Sequence, residues 1–110
     1  MSAVTTHVLD TGLGQPAAGV PVRLVHVSPG GAHVVGESVT DADGRVPELG
    51  PDDLDPGTYQ LVFDTATYAA ATDQQCFFPE VTLTFLVADA SHHHVPLLLS
   101  PFAYSTYRGS

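Results

Sequence analysis

The chain has 110 residues, 44% of them hydrophobic and 14% charged, which suits one domain with a modest core and excludes a disordered polymer. Twelve acidic residues against three arginines and no lysine give a formal charge of -9, which excludes nucleic acid and anionic membrane as partners, since phosphate binding needs clustered cations. A single cysteine, Cys76, excludes an internal disulfide; with no basic-then-apolar leader and no run approaching a membrane span, the expectation is a soluble, cytoplasmic protein.

Residues 4–10 (VTTHVLD) alternate as a strand, with Val4, Thr6 and Val8 on one face and Thr5, His7 and Leu9 on the other. Turn chemistry occupies 11–16, and residues 20–27 form a second strand that is apolar on both faces apart from Arg23 and His26. After a turn at 28–31, a third strand over 32–40 runs into the acidic turn 41–45, which delivers Arg45. Residues 46–49 suit a short edge piece, since Pro47 belongs at an edge and not in a sheet centre. A Pro/Asp/Gly loop then leads to a strand at 58–64 with Tyr59, Leu61 and Phe63 on one face.

Residues 64–72 (DTATYAAAT) make the one helix, capped by Asp64 and carried by an alanine run. Residues 80–87 alternate as a strand with Val81, Leu83, Phe85 and Val87 inward. Two more strands, 93–100 and 103–108, close the chain across the turn Ser100-Pro101-Phe102. Seven or eight short strands at regular spacing with one small helix predict an all-β sandwich. In the 93–100 strand Val95, Leu97 and Leu99 supply one apolar face, while Pro96 and Leu98 keep the other apolar. A sandwich buries one face of each sheet, so the second apolar face predicts a symmetric oligomer.

The chemistry concentrates in a few residues. Period-2 geometry puts His92 and His94 on one face and His93 on the other. Two histidines at i, i+2 and one cysteine elsewhere fall short of the four N or S ligands of a closed zinc site, so no metal is expected. Histidine titrates near pH 6.5, which suits His94, His7 and, as an accessory, His92 to proton transfer at neutral pH; a solvated surface role is the alternative for each. Arg45 is either a site cation or an exposed partner of Asp41 or Asp43, a pairing that contributes little. Cys76, with no base nearby in sequence, reads as buried and inert.

Five segments together resemble the transthyretin-related 5-hydroxyisourate hydrolases: Thr6-His7-Val8-Leu9-Asp10-Thr11, Asp43-Gly44-Arg45, Phe77-Phe78-Pro79-Glu80-Val81, residues 94–101 (HVPLLLSP) and the terminal Tyr107-Arg108-Gly109-Ser110. The resemblance spans residues 4–110 in order, and the Y-R-G-S ending is its most specific element. It departs at His93, where the family more often carries an aromatic, and at Ala103, where glycine is common. The resemblance implies a single domain over 1–110, a transthyretin-like sandwich of two four-stranded sheets with one short helix. It implies a homotetramer with active sites between dimers and no cofactor. The implied reaction is hydrolysis of 5-hydroxyisourate to 2-oxo-4-hydroxy-4-carboxy-5-ureidoimidazoline in urate degradation. His7, Arg45 and His94 are the implied catalytic residues, with Tyr107, Arg108, Gly109 and Ser110 binding substrate. The two histidines would share the proton chemistry, undivided between base and acid.

Two other classes compete. A transthyretin-like carrier would share the fold, but the His7, Arg45, His94 and Y-R-G-S set weighs against it. A prealbumin-like structural repeat would share the turn sequences; many such repeats are locked by a Lys–Asn isopeptide bond, and this chain contains neither residue.

Overall fold

Alternating and β-branched segments make strands along most of the chain. In the computed structural model, which describes residues 2–110, these are β1 (Val4–Thr5), β2 (Val8–Asp10), β3 (Gln15–Pro16), β4 (Pro21–Ser28), β5 (Gly31–Val39), β6 (Gly57–Phe63), β7 (Val81–Val87), β8 (His93–His94), β9 (Leu97–Leu99) and β10 (Tyr104–Thr106). The helix α1 (Thr65–Ala71) lies between β6 and β7. Two four-stranded sheets, ordered β10-β9-β2-β3 and β5-β4-β6-β7, face each other, and β1 and β8 form a separate parallel pair. The inward residues Val8, Val22, Leu24, Leu61, Phe63, Val81 and Leu97 meet in one buried core, as expected of an aligned sandwich. On β6, Tyr59, Leu61 and Phe63 are all buried, as the alternation predicts.

The strand predicted over 4–10 and the one over 93–100 run side by side in parallel with one register throughout: Val4 lies opposite His93, Val8 opposite Leu97 and Asp10 opposite Leu99. Both are interrupted midway. Pro96 has no N–H to donate, and the Thr6 hydroxyl takes the Val95 carbonyl at 2.6 Å. His7 keeps its place in that ladder, its carbonyl accepting from Leu97 N at 3.0 Å, and on its other side it bridges antiparallel to Arg45.

Other boundaries shift for local reasons. Of residues 11–16, predicted as turn, only 11–14 turn; Gln15–Pro16 form β3 and pair back onto β2, with the Asp10 carboxylate accepting from Leu13 N at 2.8 Å. Residues 46–49 form no strand; Val46 and Leu49 point into the core, and Leu49 N donates to Ser2 Oγ at 2.8 Å. Gly36 is required there, since a Cβ on it would lie 2.0 Å from the Leu49 carbonyl. Asp64 caps α1 as predicted, accepting from Thr67 N, and Thr65, Tyr68 and Ala69 form the buried helix face. Cys76 is exposed, against expectation, because it sits in the loop after the helix, where its thiol donates to the Phe78 carbonyl. Among the described residues no helix is long and apolar enough to cross a membrane.

Candidate active site

The turn 41–45 is built around one carboxylate. Asp41 Oδ1 accepts from Asp43 N at 2.9 Å and from Arg45 N at 3.0 Å, an Asx turn that fixes where Arg45 leaves the backbone. Gly44 closes it at φ 75°, with its carbonyl accepting from Val8 N at 2.7 Å; a Cβ there would lie 2.3 Å from the Val8 carbonyl. Asp41 therefore serves the backbone rather than the guanidinium, and among the described residues no ion pair forms at Arg45. The same turn holds His7, whose Nε2 lies 2.8 Å from the Asp43 carbonyl. A carbonyl only accepts, so Nε2 carries a hydrogen, and in the neutral ring Nδ1 is the acceptor.

From the other side comes β8. His92 and His94 share one face and His93 takes the opposite one, as period 2 predicts. His92 is exposed and His94 half-buried, and His94 is the inner wall of an open cleft of about 420 Å³. Arg45, His92, His94, Thr5, Asp41 and Ser110 line that cleft. His7 lies beside it, tied to Arg45 by the backbone bridge and close enough for its charge to act on His94. Burial, then the charges of Arg45, His92 and His7, holds His94 below the usual imidazole value of 6.5, while contact with the Thr5 backbone opposes them. The half-buried imidazole is thus kept neutral and able to accept a proton at pH 7.

The C-terminal residues divide. Gly109 N donates to the His94 carbonyl at 2.7 Å and its Cα packs against the His94 ring, which brings Ser110 into the cleft. Tyr107 and Arg108 turn the other way. They line a second pocket with Phe85, exposed Leu86 and buried His93, and Arg108 Nη2 donates to Ser91 Oγ at 3.2 Å. Within one chain the structure therefore joins Arg45, His92, His94, Gly109 and Ser110, with His7 adjoining, and leaves Tyr107 and Arg108 apart.

Sequence reasoning missed Thr5. Its hydroxyl lies 2.8 Å from His94 Nδ1 and 2.9 Å from His92 Nε2, a position set by the parallel pairing of Thr5 with His94. The one available signal was the alternation that put Thr5 on the His7 face.

The profile of the HIUase/Transthyretin family matches residues 4–109. Among curated proteins, the 5-hydroxyisourate hydrolase of Deinococcus radiodurans is 49% identical, covering 97% of this chain and 95% of its own. That of Mus musculus is 44% identical over 99% of this chain and 96% of its own. The uric acid degradation bifunctional protein TTL of Arabidopsis thaliana is 48% identical over 97% of this chain, which spans 37% of that longer protein. Among solved structures, Klebsiella pneumoniae 5-hydroxyisourate hydrolase superposes with a TM-score of 0.87 at 34% identity, covering 100% of this chain and 94% of its own. Sea bream transthyretin in complex with thyroxine superposes at 0.91 with 27% identity, covering 97% and 94%. On sequence and fold together, this chain belongs to the HIUase/Transthyretin family.

Proposed function

We propose that this chain hydrolyses 5-hydroxyisourate. The observation that carries the reading is the meeting of a guanidinium with no ion pair among the described residues and a neutral-held imidazole, Arg45 and His94, in one cleft of about 420 Å³, a size suited to a small planar ring. Relatives described as 5-hydroxyisourate hydrolases, 44–49% identical over nearly the whole chain, point the same way, whereas the thyroxine-bound transthyretin is 27% identical.

Ring opening needs three things: a deprotonated water, a stabilised tetrahedral oxyanion and a proton for the departing ring nitrogen. His94 Nε2 takes the proton as water oxygen bonds to the lactam carbonyl carbon, and returns it to nitrogen as the C–N bond breaks. Arg45 lies beside the oxygen on which negative charge develops, where a fixed cation in a partly desolvated cleft is most effective. His7, held through Nε2, anchors the Arg45 turn and offers Nδ1 as a second acceptor. Ser110 contributes a hydroxyl to the ring's polar edge. Arg45 also matters at long range, since a local positive spot in a -9 protein attracts an anionic substrate.

The active unit is a homotetramer. Edge strands β7 and β10 carry unpaired backbone groups, and Leu86 (71% exposed), Phe77, Phe102 and Tyr107 present apolar surface beside them. Assembly would cover these surfaces and let another copy's Tyr107 and Arg108 approach a neighbouring cleft. Light scattering should give four times the 11.5 kDa protomer mass. Fresh 5-hydroxyisourate should lose its ultraviolet absorbance faster with the protein than without. His94→Asn and Arg45→Ala should each slow turnover about 100-fold or more with the assembly intact. Turnover retained in His94→Asn would remove the assignment.

A further inference from the structure

We infer that Thr5 is a proton-relay residue joining the half-buried His94 to the solvent-exposed His92, an inference that rests on the hydrolase reading of the cleft. A threonine hydroxyl has one hydrogen. Bridging His94 Nδ1 at 2.8 Å and His92 Nε2 at 2.9 Å, it accepts from one imidazole and donates to the other, so the two rings have opposite roles. The hydrolase reading decides which: with Nε2 of neutral His94 keeping its lone pair for the water proton, the ring's one hydrogen sits on Nδ1. The resting chain is then His94 Nδ1–H to Thr5 Oγ1, and Thr5 O–H to His92 Nε2.

The arrangement solves a problem set by burial and Arg45. His94 accepts a proton readily only if it need not remain an imidazolium, because desolvation and the nearby guanidinium disfavour that charge. When Nε2 takes the water proton, the Nδ1 proton passes to Thr5 Oγ1, whose own proton passes to His92 Nε2. His94 remains neutral as its other tautomer. The positive charge comes to rest on His92, exposed to water, and the negative charge on the oxyanion beside Arg45. Collapse of the tetrahedral adduct reverses the sequence: Nε2–H goes to the leaving nitrogen, Thr5 restores Nδ1–H and His92 restores the hydroxyl. No atom or charge is left over. In this role Thr5 is a positioning residue that acts through His94.

The test uses the assembled protein with 15N-labelled histidine and, separately, steady-state turnover. Without substrate, His94 is expected to carry its hydrogen on Nδ1, and Thr5→Val to abolish that preference. Thr5→Val is expected to lower kcat about 10- to 100-fold with KM within about twofold, part of the range general acid–base groups supply. Thr5→Ser should restore kcat to within about threefold. His92→Ala should match Thr5→Val, and the double variant should be no slower than either single one. Hydrogen on Nε2 of His94 in the resting protein overturns the relay, as do losses that multiply in the double variant. Wild-type protein that fails to outpace spontaneous decay sinks the hydrolase reading instead, and the tautomer measurement still decides the hydrogen-bond chain by itself.

Discussion

Gly109→Ala puts the proposed cleft under a defined strain. A Cβ on Gly109 would stand 2.5 Å from Cδ2 of His94 and 3.3 Å from its Cγ. Carbon atoms rest at about 3.5–4.0 Å, so roughly 1 Å of movement must be found. Gly109 is not in a left-handed conformation, so the perturbation is one of space alone. Either the His94 ring yields, stretching its 2.8 Å contact with Thr5, or the chain end lifts, breaking the 2.7 Å bond from Gly109 N to the His94 carbonyl and carrying Ser110 out of the cleft. A misplacement of about 1 Å in a reacting group is worth up to about 100-fold in rate, whereas one partly exposed hydrogen bond is worth about 0.5–1.5 kcal/mol of stability. The variant should therefore lose about 30- to 100-fold in kcat/KM on 5-hydroxyisourate, with a Tm lowered by less than about 10 °C. A kcat/KM within threefold of wild type would refute the argument that His94 is held in its working position by contact with the C-terminal glycine.

His94 binds its proton more weakly in the folded protein than in the unfolded chain, so its contribution to stability is complete above pH 6.5 and is lost as pH falls through the lowered folded value. Urea midpoints across pH 5–8 should show this dependence in wild type and lack it in His94→Asn, and the acid limb of kcat/KM should lie below pH 6.5. At Asp10, burial pushes the carboxyl up, but hydrogen bonds from Tyr68, Leu13, Gln74 and Gly12 outweigh it and leave it below 3.8. Asp10→Asn leaves one acceptor oxygen for these four donors and should destabilise by about 1.5–3 kcal/mol, read as a lower Tm at pH 7; in wild type the Asp10 contribution is lost as pH falls below about 3.8. His93 is 5% exposed and its Nδ1 has no partner, so His93→Phe should stabilise by about 1 kcal/mol and leave kcat unchanged, because its side chain points away from the cleft.

Local rules made much of this fold legible. The alternation of Tyr59, Leu61 and Phe63, the Asp64 cap and the opposed faces of the three histidines all hold, because each depends on residues within a few positions of one another. What escaped depends on distant partners. The break at 6–7 follows from where the Thr6 hydroxyl and Pro96 meet across two remote segments, and the burial of Leu49 follows from a glycine thirteen residues upstream. Cys76, expected to be buried and inert for want of a base nearby in sequence, is exposed because the residues after a short helix have no sheet to cover them. The site was legible in its members more than in its wiring. Arg45, His92, His94 and Ser110 stand out as scarce or clustered polar residues, whereas one threonine among several carries no mark until its partner is known.

That partner is set by register, and the register is pinned by the same residues that interrupt the strands. With side chains alternating between faces, a slip of one residue between the first segment and the last would turn His93 into the cleft and bury His94. It would also take Thr5 from its bridging position. Pro96 bars ladder bonding at its own position, and the Thr6 hydroxyl on the Val95 carbonyl fills the gap only when the two stand as they do. His7 sits between the last segment and the Arg45 turn, its carbonyl accepting from Leu97 N and its backbone bridging to Arg45, and so couples the cation to the histidine strand. One register thus both fixes which histidine faces the cleft and, through His7, sets the arginine beside it.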